Sequence, residues 1–153
     1  MPIVLSDFQA ALENFHRSYG EFLSACKRLK PEDRERSGVC GIWSPKQVVA
    51  HLAGWLREEP TTFRQLIRNP NYHKHYDEDE FNAQSVAERA AWDWDQTLAD
   101  FIDSYRSYEE AITEIVVANP PDWRPFTAML KVMGDDFLLH KDQLMQWLPA
   151  DRR

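Results

Sequence analysis

Apolar side chains recur along the chain at alternating steps of four and three residues, the spacing that places them on one face of an α-helix. Four such stripes are present, and no strand signal competes with them. The stripes predict helices over residues 7–29, 45–67, 86–117 and 125–148. Because each predicted helix has one apolar face, the predicted fold class is all-α, a four-helix bundle that buries the four stripes together.

Local signals predict where the helices begin and how they are connected. Ser6, Ser44 and Ser85 each start a capping box, in which the hydroxyl accepts a hydrogen bond from the first helical turn. Pro60 is expected to kink or interrupt the second helix, because proline lacks the backbone donor and clashes with the preceding turn. The polar connection over 68–85 is long enough to let the second and third helices run parallel. No repeat or linker divides the chain, so we predict one domain over 1–153.

The charge balance and the cysteine content indicate which partners the protein binds and in which compartment it is found. The chain has 18 Lys and Arg against 25 Asp and Glu, and its net charge of -7 would repel a phosphate backbone, so we expect no nucleic acid partner. Two cysteines are too few for a disulfide framework. The sequence has neither a long apolar run nor a signal-peptide pattern. These features predict a cytoplasmic protein with no membrane partner.

Several side chains that could take part in catalysis or metal binding are better explained as parts of the core or of the solvated surface. Cys26 lies on the first apolar stripe, so we expect a small buried side chain rather than a reactive thiol. The aromatic residues of the third stripe are expected in the core. His73 and His75 lie in the polar connection, and we expect them to be solvated rather than to bind a metal. Three aspartates fall off the third stripe and are expected to face solvent: Asp93, Asp95 and Asp100.

Two histidines and an aspartate are the strongest candidates for a functional site. Asp136 and His140 are four residues apart in the last predicted helix, which puts their Cβ atoms about 5 to 6 Å apart on one face. His140 lies on the apolar stripe of that helix, and His51 lies on the stripe of the second helix. A divalent ion would offset the cost of burying Asp136 as an anion. Three protein ligands would leave positions open for water or substrate, as in catalytic zinc and non-haem iron sites.

A metal-free interpretation explains the same residues. Asp135 and Asp136 would then cap a helix that restarts after Gly134, and the two histidines would hydrogen-bond to each other or to buried tyrosines. Gly134 lowers the stability of a helix by about 1 kcal/mol relative to alanine, so it predicts either a close backbone approach or a break. The spacing leaves both interpretations open.

Two segments of the chain resemble the signature regions of the DinB/YfiT-like metalloenzymes, namely Trp43-Ser-Pro-Lys-Gln-Val-Val-Ala-His51-Leu and His140-Lys-Asp-Gln-Leu144. Phe81-Asn82 and the long third helix are similar to the DfsB-like branch. The resemblance implies a four-helix bundle of up-down-down-up topology, often dimeric, with one metal bound by a histidine of the second helix and two residues of the fourth. His51 matches the first ligand and His140 the last. Many members have histidine where this chain has Asp136, whereas the similar mycothiol-dependent maleylpyruvate isomerases use a carboxylate there.

The resemblance also implies an activity. It indicates a metal-dependent enzyme, with zinc, nickel or iron as the divalent ion, that acts on a small-molecule substrate by thiol transfer or hydrolysis in a homodimer. A low-molecular-weight thiol is a further cofactor that the family allows. Three residues are candidates for an acid or base on position alone, and nothing else in the sequence assigns them that role: Glu58, Tyr105 and Tyr108.

Two other functions fit the same sequence. The six tryptophans and the buried polar residues could form an aromatic-lined pocket of a metal-free module that binds a small molecule or protects against it. Alternatively, the bundle could serve mainly for dimerisation, with the polar residues as an internal network.

Overall fold

The computed structural model describes residues 5–153, which form five α-helices and no strand. The helices are α1 (Leu5–Lys27), α2 (Pro45–Arg68), α3 (Glu78–Glu88), α4 (Trp94–Ala118) and α5 (Arg124–Trp147). Short 3-10 turns lie at Pro31–Asp33 and Ala150–Arg152. The predicted all-α class is confirmed for the described residues. The up-down-down-up arrangement of four helices stays a prediction.

Three of the predicted helices correspond to α1, α2 and α5 with ends that differ by at most two residues. Their apolar stripes are buried as predicted, from Phe8 to Cys26 in α1 and from Phe126 to Leu144 in α5. The capping box predicted at Ser6 is wrong, because α1 has already begun at Leu5. Proline at the first position of α2 agrees with the predicted start at Pro45.

The third predicted helix is wrong in its extent, since two helices occupy this part of the chain. Asp77 caps α3, with its carboxylate accepting a hydrogen bond from the Glu80 backbone N–H at 3.1 Å. Asp93 and Gln96 form a reciprocal capping box that starts α4. Ser85 is a buried residue inside α3 and caps nothing. The serine pattern therefore predicted a helix start eight residues before the one that the structure has.

Pro60 does not interrupt α2, which continues to Arg68. Proline at position 60 removes the helical N–H donor for the Leu56 carbonyl, and the helix nevertheless continues beyond it. The Thr61 hydroxyl donates a separate hydrogen bond to the Glu58 carbonyl at 2.7 Å. Of the predicted kink or interruption, the interruption is wrong, because α2 is one element from Pro45 to Arg68, and the kink stays a prediction. One consequence is that α2 extends as a single element from Pro45, past His51, to the connection that begins after Arg68.

The chain divides into two compact units, which we describe separately. The first unit comprises the chain up to Pro45 and Pro121–Arg153, and it contains α1 and α5. Helices α1 and α5 pack closely, and Phe137 of α5 contacts three aromatic rings of α1, with centroids 5.6 to 6.4 Å away: Phe15, Tyr19 and Phe22. Gly134 permits this packing, because a methyl group there would lie 3.3 Å from the Phe15 Cα. The predicted close approach at Gly134 is confirmed.

The second unit, Lys46–Pro120, contains α2, α3 and α4 and buries charged side chains. Asp100 accepts hydrogen bonds from the buried Arg89 at 2.8 Å and from Arg57 at 2.9 Å. The Asp100 side chain is only 11% exposed, so the prediction that it faces solvent is wrong. Asp95 is exposed as expected, and Asp93 is the exposed cap of α4.

No helix in the described part of the chain is both long and apolar enough to cross a lipid bilayer.

Candidate metal centre

Helix α5 places Asp136 and His140 on one face, a single turn apart. His140 occupies an apolar stripe and is 4% exposed, whereas Asp136 is half-buried. The helix passes through Gly134 without a break, from Arg124 to Trp147. Asp135 and Asp136 therefore do not cap a restarted helix, and that part of the metal-free interpretation is wrong.

Helix α2 supplies His51, which is 5% exposed among apolar neighbours of its own helix, including Val48 and Leu52. A buried imidazole needs a partner for each ring nitrogen. The Nδ1 atom of His51 lies 2.7 Å from Oδ1 of Asn82, a residue of α3. This contact fixes one side of the ring.

The structure brings the three predicted ligands together. One ligand atom from each of His51, Asp136 and His140 can be chosen so that the three atoms all lie within 4.8 Å of one another. Metal–ligand distances of about 2.1 Å in a tetrahedral site put two ligand atoms about 3.4 Å apart, which is within the 4.8 Å limit that these three atoms satisfy. Two imidazoles and one carboxylate form a donor set suited to zinc, nickel or non-haem iron. The group could hold a metal ion.

The electrostatics of α5 favour the form of His140 that binds metal. Burial lowers the pKa of His140, while the hydrogen bond with Gln143 and the charge of Asp136 oppose that effect without overcoming it. His140 Nδ1 lies 2.8 Å from Gln143 Oε1. The lowered pKa favours the neutral ring, and a neutral imidazole retains the lone pair that a metal requires.

The other histidines of the chain do not belong to this group. His73 and His75 lie exposed in the connection between α2 and α3, in agreement with the predicted solvated surface. Over residues 5–153, no second set of three histidine, cysteine or carboxylate side chains is arranged to hold an ion. Cys26 is buried as predicted, and this burial raises the pKa of its thiol far above the ordinary value. It is therefore a packing residue.

The three residues considered for acid or base chemistry have structural partners or surroundings. Glu58 accepts hydrogen bonds of 2.7 Å from Lys74 and Tyr76, and the bond from Lys74 is the main reason that its pKa is lowered. The hydroxyl of Tyr108 donates to Glu59 at 2.5 Å, and burial together with that carboxylate raises the tyrosine pKa. Tyr105 is buried in α4. None of these contacts assigns a catalytic role.

Sequence reasoning missed the amide side chains that contact the two histidines. Gln143 could have been found, because it follows His140 by three residues on a helix. Asn82 was named only within the resemblance of Phe81-Asn82 and was given no role, since it lies 31 residues from His51 in a segment predicted to be a connection. Its position depends on how α3 packs against α2.

A cavity of about 220 Å³ opens beside α2 and α3 in the second unit. Charged side chains dominate its lining, including Arg57, Glu58, Glu88 and Arg89, and Phe81 is its aromatic member. The cavity is therefore polar rather than aromatic.

The chain matches no protein-family model, no curated protein and no solved structure. The resemblance to the DinB/YfiT-like metalloenzymes consequently stays a prediction.

Proposed function

We propose that this chain is a metal-dependent enzyme that acts on a small molecule by thiol transfer or hydrolysis, with His51, Asp136 and His140 as the metal ligands. The observation that carries the proposal is the convergence of three potential ligand atoms within 4.8 Å of one another. Zinc, nickel and iron all accept this donor set. A divalent ion supplies, when bound, the Lewis acidity that lowers the pKa of a bound water or thiol.

The chain's own residues support this proposal through their charges. The half-buried carboxylate of Asp136 carries a negative charge beside His140, and that charge would attract a divalent cation. Burial lowers the pKa of His140 and so favours the neutral imidazole that binds an ion. With three ligands from the protein, further coordination positions stay available for a substrate or water. We propose a homodimer in the cytoplasm as the working form, with a low-molecular-weight thiol as the co-substrate class.

Elemental analysis tests the metal site directly. The protein should be purified without a polyhistidine tag and without nickel resin, as wild type, His140→Ala and His73→Ala. We expect stoichiometric metal in wild type and none in His140→Ala. His73→Ala should bind metal like wild type, because His73 is exposed and is not one of the proposed ligands. If wild type stays metal-free after incubation with zinc, nickel, iron and manganese, the proposal is wrong.

A second variant tests the carboxylate. Asp136→Asn keeps the size of the side chain but removes the charge, so we expect zinc affinity to fall by more than about 100-fold, the upper end of the effect of losing an outer-shell partner. Helical circular dichroism should be nearly unchanged, because Asp136 is only half-buried. Unchanged affinity would remove Asp136 from the ligand set.

The metal-free alternative, a binding or protective module with an aromatic-lined pocket, has less support. The cavity in the second unit has one aromatic residue in its lining and is bordered by arginine and glutamate side chains. Apolar ligands favour pockets lined mainly by apolar and aromatic side chains. Tight binding of an apolar small molecule by the metal-free protein, with no metal uptake, would favour this alternative over the metalloenzyme.

A further inference from the structure

One amide oxygen links three side chains of the second unit. Asn82 Oδ1 lies 2.7 Å from Nε1 of Trp55 and 2.7 Å from Nδ1 of His51. His51 and Trp55 are one turn apart on α2, and Asn82 reaches them from α3. The oxygen therefore lies within hydrogen-bond distance of two nitrogen atoms on one face of α2.

The tryptophan settles which way the amide points. An indole N–H can only donate a hydrogen bond, so the Asn82 atom that faces Trp55 must be the carbonyl oxygen rather than the amide nitrogen. The same oxygen faces His51 Nδ1, and an oxygen without a hydrogen can only accept. His51 Nδ1 must therefore carry the hydrogen, and in a neutral ring the lone pair resides on Nε2.

We propose that Asn82, oriented by Trp55, is a positioning residue that holds His51 as the Nδ1–H tautomer and so presents Nε2 as its ligand atom. This inference rests on the proposed function for the identity of the ligand, but the tautomer itself does not depend on a metal. Outer-shell partners of this kind orient metal-binding histidines and fix their tautomer.

Close packing around Trp55 and between α2 and α3 holds the Asn82 side chain in place. The Trp55 ring packs against Phe81 and Tyr76, with centroids 4.2 and 5.2 Å away, so its N–H has a defined direction. One turn further along both helices, Gly54 lies so close to Ser85 that a methyl group on the glycine would overlap the serine hydroxyl. Helix α3 therefore packs directly against α2 within one turn of Asn82.

His140 offers an instructive contrast. Its Nδ1 also faces an amide oxygen, that of Gln143, but no second donor fixes the orientation of that amide among the contacts described. The argument from an obligatory donor therefore applies to His51 alone. Asn82 is the residue whose removal should change a tautomer.

The tautomer can be read from imidazole ¹⁵N chemical shifts in the metal-free protein at about pH 8, where histidine is neutral. His51→Gln identifies the signals of His51 by their loss. We expect wild type to show a protonated Nδ1 and an unprotonated Nε2. In Asn82→Leu, which removes the acceptor, the pattern should shift toward the Nε2–H tautomer. Gln84→Leu is the matched control, because it changes an exposed amide of the same helix, and its His51 pattern should equal wild type.

Zinc titration of the same proteins gives the second readout. We expect affinity to fall about 10- to 100-fold in Asn82→Leu and to stay at the wild-type value in Gln84→Leu. Asn82→Asp keeps an oxygen acceptor and should preserve the Nδ1–H tautomer. If Asn82→Leu fails to fold, Trp55→Phe serves instead, because it frees the amide to turn, and a mixed tautomer is then expected.

An Nε2–H tautomer in the wild type, or a pattern unchanged between wild type and Asn82→Leu, overturns the positioning role. A shifted tautomer with unchanged zinc affinity overturns its relevance to metal binding. If no variant and no wild type binds zinc, nickel, iron or manganese, the proposed function fails. The ring-nitrogen pattern still decides the role of Asn82 in that case.

Discussion

Two clusters of side chains, one in each unit, are held together by different contacts. In the first, Phe137 has no exposed surface and lies among aromatic rings of α1. In the second, Asp100 and Arg89 are an almost fully buried ion pair, with side chains 11% and 6% exposed. Apolar contacts depend on volume, whereas buried charges depend on both partners being present. Truncating a side chain in the first cluster should therefore lower the free energy of unfolding in proportion to the volume removed. Removing one charge from the second cluster should lower it by leaving the other charge buried without its partner.

Phe137→Ala should have the largest effect. Removing a fully buried phenyl ring leaves a cavity, so we expect the free energy of unfolding to fall by about 4 kcal/mol, measured by urea denaturation followed by circular dichroism. Leu139→Ala, two residues along the same helix and half-exposed, should change it by less than about 0.5 kcal/mol. A loss below 1.5 kcal/mol for Phe137→Ala would show that the first unit relaxes around the gap.

Asp100→Asn should have the next largest effect, because it leaves the buried Arg89 without its anion. We expect a loss of about 3 kcal/mol in the same urea experiment. Adding Arg89→Met removes the unpaired cation and should recover part of that loss, so the double variant should be more stable than additivity requires. Strictly additive effects would mean that the two charges are not coupled, and the contrast between the two clusters would then disappear.

Two glycines of the first unit should respond with opposite signs. Gly20 in α1 has open space around it, and Gly20→Ala should stabilise the protein by about 0.5 to 1 kcal/mol through helix propensity. Gly134→Ala would place a methyl group 3.0 Å from Asn14 Nδ2 and 3.3 Å from Phe15 Cα, so we expect a net loss of about 1 kcal/mol. A pair of thermal unfolding curves would check both. Stabilisation by both changes would indicate that α1 and α5 are less closely packed.

The smallest effect should come from the one buried carboxylate of the first unit that we describe, Asp33. Burial alone would raise its pKa, but hydrogen bonds from Arg152 and Arg36 outweigh burial and lower the pKa below the ordinary value. A carboxylate with a lowered pKa in the folded state stabilises the protein above its unfolded pKa, about 4, and loses that contribution as the pH falls. Arg152→Gln should therefore be less stable than wild type at neutral pH, with a difference that shrinks in acid. A difference that is constant with pH would contradict the role of this ion pair.

The sequence predicted α1, α2 and α5 well, because each has one unbroken apolar stripe and begins or ends near proline. It failed between Glu78 and Trp94 because α3 is short and polar, and its start depends on the Asp77 side chain rather than on an apolar pattern. The two candidate histidines were predictable from their positions on apolar stripes, and Asp136 from its spacing of four residues from His140. Asn82 was not, because its role comes from packing between helices rather than from spacing along one.

The buried thiol of Cys26 can serve as an internal probe of how fast the first unit unfolds. Cys26 is 1% exposed, while Cys40, the other free cysteine, is half-buried. An aromatic disulfide reagent reacts with thiolates, so burial and the raised thiol pKa should delay the reaction of Cys26 until the first unit opens. The rate of its modification would then report the opening of α1 from the aromatic rings of α5, without any added label.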